Sequence, residues 1–163
     1  MKSSTPRIEI SLSQIRENTQ ILSDLYLEKG ISLMGVTKAV LGEPSVAKAM
    51  IEGGVKFIAD SRIKNILKMK NAGISIPFVL LCTPLSQAES IVQNVDISLN
   101  TEIETIKSLS HHAKIQNKTH QVIIMVELGD LREGVMLCDL SQFIRETLIL
   151  PNVKTIGIGS NLA

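Results

Sequence analysis

The chain has 163 residues, 44% of them hydrophobic, which is enough for one sizeable core and leaves little room for a second domain. Its 17 basic and 16 acidic residues give a net charge of +1 without a long charged block, and aromatics make up 2%, so nucleic-acid or membrane attraction has no source in charge or base stacking. The opening MKSSTPRIEI lacks the apolar core of a signal peptide and no run approaches the roughly 18–20 apolar residues of a membrane span, so a cytoplasmic protein is expected.

In chain order, Leu12, Ile15, Thr19, Leu22 and Tyr26 follow three-four spacing, with Ser11 and Gln14 as a capping-box pair and Gly30 as a stop. Two runs rich in β-branched residues come next, ISLMGVT at 31–37 and VKFIA at 55–59. Ile63, Ile66 and Leu67 then mark a helix opened by Asp60 or Ser61 and closed near Gly73. IPFVLL at 76–81 and DISL at 96–99 are further apolar runs, followed after Thr101 by a helix through Ile103, Ile106, Leu109 and Ala113. QVIIMVE at 121–127, a helix through Leu140, Phe143, Ile144 and Thr147 ahead of Pro151, and VKTIGI at 153–158 complete the series. The six runs are apolar almost without a break, as strands need when both faces of their sheet are covered.

Strand starts at 31, 55, 76, 96, 121 and 153 leave room for one crossover helix each and little else, which predicts a parallel α/β fold. A doubly wound sheet and a (β/α) barrel both fit. No Gly-rich phosphate turn follows the first strand, and GIGSNLA at 157–163 lacks the third glycine of a dinucleotide fingerprint. A complete eight-strand barrel takes about 250 residues, whereas residues 1–163 hold six strand candidates and end on a strand without a covering helix. An incomplete barrel with an open edge is therefore expected, either truncated or closed by self-association into a homo-oligomer.

In such a barrel the C-terminal strand ends form the active-site face. Lys38 falls there, among the small or apolar Gly35, Val36, Ala39 and Val40. Those neighbours predict a desolvated, neutral amine able to form a Schiff base; a lysine snorkelling to solvent is the competing reading. In VELGDLREG, 126–134, Arg132 offers a permanent cation to an anionic oxygen, or pairs with the adjacent Asp130 and Glu133. Ser160 and Asn161 in GSNLA either face a ligand or form a simple turn, and Arg62 in ADSR faces the mouth or pairs with an acid. His111, His112 and His120 lack metal-ligand periodicity and read as a solvated helix end and loop. Cys82 and Cys138, far apart, read as buried free thiols.

Taken together, PRIEISLSQIRENTQIL, GVTKAV, AKAMIEGGVKFIADSR, DISLNTEIETI, VIIMVELGDLREG and GIGSNLA resemble the N-terminal part of the alanine racemase-like family of pyridoxal-phosphate enzymes, above all its ornithine racemase and predicted amino-acid racemase branch. The resemblance implies a TIM-like barrel binding pyridoxal 5'-phosphate, with an amino acid as substrate. Lys38 matches the family lysine that carries the cofactor as a Schiff base, Arg132 the arginine that contacts the cofactor's phenolic oxygen, and Asn161 stands where alanine racemases have a cofactor-facing histidine. It further implies racemisation by removal of the α-proton and its return on the opposite face, with Lys38 as one base. The lysine pKa, about 10.4, must then fall towards roughly 7–8. Family members continue with further barrel strands and a β-rich C-terminal domain that carries the second base, a tyrosine. Neither is expected within 1–163, and Tyr26, the one tyrosine, lies on the first helix. A noncatalytic pyridoxal-phosphate carrier and a cofactor-free barrel held by oligomerisation are the alternatives.

Overall fold

The computed structural model describes residues 6–162; Met1–Thr5 of the opening segment and Ala163 of GSNLA lie outside them. The first helix, α1 (Leu12–Leu27), starts where expected, because the Ser11 hydroxyl accepts the Gln14 amide at 3.4 Å, and the chain leaves it through Gly30 at φ +72°. Thereafter strands and helices alternate: β1 (Met34–Val36), α2 (Pro44–Glu52), β2 (Phe57–Asp60), α3 (Ile63–Asn71), β3 (Phe78–Leu80), α4 (Ala88–Asn94), β4 (Ile97–Asn100), α5 (Ile103–Ile115), β5 (His120–Val126), α6 (Leu137–Leu148) and β6 (Val153–Ser160).

All six strands are parallel and lie in the order β1-β2-β3-β4-β5-β6. A doubly wound sheet reverses direction at a switch point, whereas an unreversed order is the winding of a (β/α) barrel. The sheet does not close: β1 and β6 are its edges among the described residues.

The sheet has an apolar cluster on each face. Ile58, Phe78, Leu80 and Val122 pack outward against Ile66, Met69, Ile91, Leu109 and Ala113 of the helices, while Ala59, Val79 and Ile97 form a second cluster with Phe57, Leu81, Leu99 and Ile123. Ile58 and Ala59, or Leu80 and Val79, are sequence neighbours that point to opposite faces, and this two-sided burial is why the runs are continuously apolar. The β6 edge differs: half-buried and exposed residues alternate along it. A register shift opposite Val122/Ile123 inserts Ile156 between the paired Thr155 and Gly157.

Two expectations are corrected. His120 is neither loop nor solvated: it opens β5, is 3% exposed, and its Nε2 lies 2.9 Å from the Ser98 hydroxyl. Cys82 and Cys138 are both free but exposed, because Cys82 follows β3 at the open end of the sheet and Cys138 lies on the outer side of α6. Among the described residues no helix is long and apolar enough to cross a membrane.

Candidate functional site at the C-terminal strand ends

Lys38 is carried on a tight turn. The Thr37 amide extends the sheet ladder to the Ala59 carbonyl at 2.9 Å, after which Lys38–Val40 form one 3₁₀ turn. Leu41 at φ +52° and Gly42 at φ +63° then reverse the chain into α2. The lysine is exposed, not shielded as its neighbours suggested, because β1 is a sheet edge and both Val36 and Ala39 are themselves exposed.

Arg132 is presented by a loop built on Glu127. That carboxylate accepts the Gly129 amide at 2.5 Å and the Leu131 amide at 3.0 Å, and these backbone donors, Leu131 first, hold it below the usual carboxylate range. The loop folds back so that the Val135 amide reaches the Met125 carbonyl at 2.8 Å, and a Cβ on Gly134 would collide with the Glu127 backbone. Arg132 Nε lies 3.6 Å from Asp130 and Nη2 3.9 Å from Glu133, pairs too long and too exposed to neutralise the guanidinium. Ion pairing and a cavity-facing position thus coexist.

Lys38, Arg132 and Asn161 line one cavity of about 380 Å³, with Ser61, Cys82 and Glu133 completing its polar wall. Its volume falls in the range of small-molecule sites. Asn161 is half-buried, and its Nδ2 is fully enclosed without an acceptor among the described residues. A buried donor left unpaired carries the full desolvation penalty, which an acceptor atom on a ligand would relieve. Ser160, in contrast, is exposed and does not line the cavity. Burial, reinforced by the Glu133 charge, pushes the Cys82 thiol up, so it remains a neutral thiol near pH 7.

A larger cavity of about 590 Å³ shares Ser61, Leu81, Cys82, Leu99 and Glu133 with the first and opens over β2–β4. Arg62 lines it, its side chain without a cap or carboxylate partner among the described residues. The smaller cavity is the candidate site because it alone includes an amine nucleophile beside a cation and an unpaired donor. No cluster of three or more His, Cys, Asp or Glu suited to a metal occurs among the described residues. Sequence reasoning read Asp60 as a helix cap and missed its partners. The carboxylate does take the Arg62 amide at 3.0 Å, but it also takes the hydroxyl of Thr37 and the amide of Asn65, both at 2.8 Å.

Residues 10–163 match the family described as alanine racemase, N-terminal domain. The chain is 38% identical over 159 residues to an ornithine racemase of Acetoanaerobium sticklandii, covering 96% of this chain and 44% of that protein. It is 32% identical over 157 residues to a lysine racemase of Thermotoga maritima, with the same coverages of 96% and 44%. An alanine racemase of Clostridium difficile 630 superposes with a TM-score of 0.80 at 24% identity, over 92% of this chain and 40% of that one. The alanine racemase of Streptomyces lavendulae gives 0.83 at 18% identity, over 98% and 44%. At such identities the superpositions speak for the fold, and the chain spans 44% of the length of the two curated relatives.

Proposed function

Because the chain belongs to the alanine racemase N-terminal domain family, we propose that it is the cofactor-bearing barrel portion of a pyridoxal-phosphate-dependent amino-acid racemase, with Lys38 as the anchoring amine. The observation that carries this reading is the convergence of Lys38, Arg132 and Asn161, from three separate strand ends, on one cavity. The donor set suits the group: an amine for its aldehyde, a fixed cation for an anionic oxygen, and an unpaired amide donor for a further acceptor. When bound, pyridoxal phosphate supplies an electron sink that makes the α-proton of an amino acid removable.

The chain's own residues do the rest. The Lys38 amine, when free, would take the α-proton of the bound amino acid at Nζ and could return it. Arg132 would orient the cofactor through the donor fork of its guanidinium. Cys82, kept as a neutral thiol, is no base. Proton delivery on the opposite face needs a second group, and Tyr26 on α1 does not line the cavity. The ornithine and lysine racemases among its relatives make a diamino acid the favoured substrate. Exposed apolar side chains at α6, Leu137, Leu148 and Ile149, support a homo-oligomer.

The test is covalent. The purified chain is mixed with pyridoxal phosphate, its visible band recorded, and the product reduced with borohydride and mapped by peptide mass. A pyridoxyl group on Lys38, lost in Lys38→Ala, is expected; an adduct on any other residue, or none, overturns the assignment. A noncatalytic cofactor carrier is the second reading, since the same three side chains would hold the group without a substrate reaction. Polarimetry with L-ornithine and L-lysine separates the two, since a carrier leaves the rotation unchanged.

A further inference from the structure

The buried carboxylate of Asp60 has no place in the chemistry above. Asp60 and Thr37 are 0% exposed and Asn65 is 8% exposed. Asp60 Oδ1 accepts the Arg62 amide at 3.0 Å and Asn65 Nδ2 at 2.8 Å, while Oδ2 accepts the Thr37 hydroxyl at 2.8 Å. No lysine or arginine side chain pairs with it among the described residues, so these three donors alone offset the loss of water around the charge. Thr37 has other acceptors in reach, the Ala59 carbonyl at 3.2 Å and the Met69 sulfur at 3.7 Å, but the carboxylate is both nearer and charged. A helix cap would need the Arg62 amide and nothing from the turn that follows β1.

Thr37 is the residue before Lys38, and the same helix turn also holds the far end of the lysine's turn. The Thr37 carbonyl accepts the Val40 amide at 3.0 Å and the Gly42 amide at 3.2 Å, closing the loop on itself. At Gly42 a Cβ would stand 2.7 Å from Asn65 Cβ and 2.9 Å from the Asn65 carbonyl, so the backbone there rests directly on Asn65.

We infer that Asp60 and Asn65 are positioning residues, clamping the turn that bears Lys38 at both ends through Thr37 and Gly42. With its backbone fixed in this way the exposed lysine varies its amine position only through its own side-chain torsions, which is what a covalent anchor on an open sheet edge requires. The inference rests on the reading of Lys38 as that anchor.

The experiment uses the full chain with pyridoxal phosphate as probe and compares wild type, Thr37→Val and Thr37→Ser. Loss of a hydrogen bond to a charged group predicts about tenfold weaker cofactor capture in Thr37→Val. Its visible circular dichroism per mole of adduct is expected to fall at least by about half, because the bound chromophore no longer has one orientation. Thr37→Ser, which keeps the hydroxyl, restores both; a purely structural role would not alter dichroism per adduct. Wild-type capture and dichroism in Thr37→Val overturn the clamp while leaving Lys38 as the anchor. If wild type forms no Lys38 adduct, the anchor reading fails instead, and amide exchange judges the clamp alone: Val40 and Gly42 must exchange about tenfold faster in Thr37→Val, and equal rates overturn it. Should Thr37→Val not fold by far-ultraviolet dichroism, Gly42→Ala, which attacks the other end, is read by the same measurements.

Discussion

Two side chains carry predictions of opposite character. Asn161 holds an enclosed donor without an acceptor among the described residues, so it costs stability until something binds. Asn161→Ala is therefore expected to leave the cofactor-free chain at least as stable in thermal melting, while weakening pyridoxal phosphate about tenfold in a spectrophotometric titration; a drop in both would show the amide to be structural. His120 concerns stability only. Burial lowers its pKa from 6.5 to about 4, with Asp96 opposing and Lys118 assisting. The folded chain thus resists protonation that the unfolded chain accepts below pH 6.5. Stability is full above that value and is lost as pH falls towards 4, by up to roughly 3 kcal/mol. Urea midpoints at pH 7 and pH 4.5 measure the loss, and His120→Gln should flatten it.

Among the elements, those with the clearest apolar period were the most legible. α1, α3, α5 and α6 lie where Leu, Ile and Thr repeat at three-four spacing, though α6 begins at Leu137, earlier than its marked positions. α2 and α4 were anticipated only by the room left between strands, not by a marked period; their buried faces are Val46, Ala47 and Ala49 in one and Ala88, Ile91 and Val92 in the other. The loop after β5 depends on one glycine. Gly134 lies against the Glu127 backbone, so Gly134→Ala forces the loop off β5 and displaces Arg132. A destabilisation of about 1–3 kcal/mol is expected in denaturant titration, together with weaker cofactor capture; an unaffected protein would mean that the loop position is not set there.

For the whole molecule, the unclosed sheet dominates. Among the described residues β1 and β6 are the sheet's edges, and Leu148, Ile149 and Ile158 near β6 are 65%, 81% and 65% exposed. Exposed parallel edges with apolar flanks tend to pair. Light scattering is expected to give a mass above the 17.8 kDa of one chain, rising with concentration; a clean monomer at high concentration would count against association through these edges.

The strand inventory, the parallel α/β class and the placing of Lys38, Arg132 and Asn161 after strands were legible without coordinates, because burial on two faces and helix periodicity are written into each segment locally. Segment patterns left a doubly wound sheet and a barrel both open; the family resemblance pointed to the barrel, and the unreversed strand order of the fold agrees, since strand order is a property of pairings between segments distant in the chain. The tertiary structure alone brought Lys38, Arg132 and Asn161 to one cavity, left the lysine exposed at a sheet edge, buried His120 against Ser98 and joined Thr37 to Asp60 and Asn65. Each of those outcomes depends on which side chains meet across elements, and a hydropathy pattern records how a residue is buried but not against what.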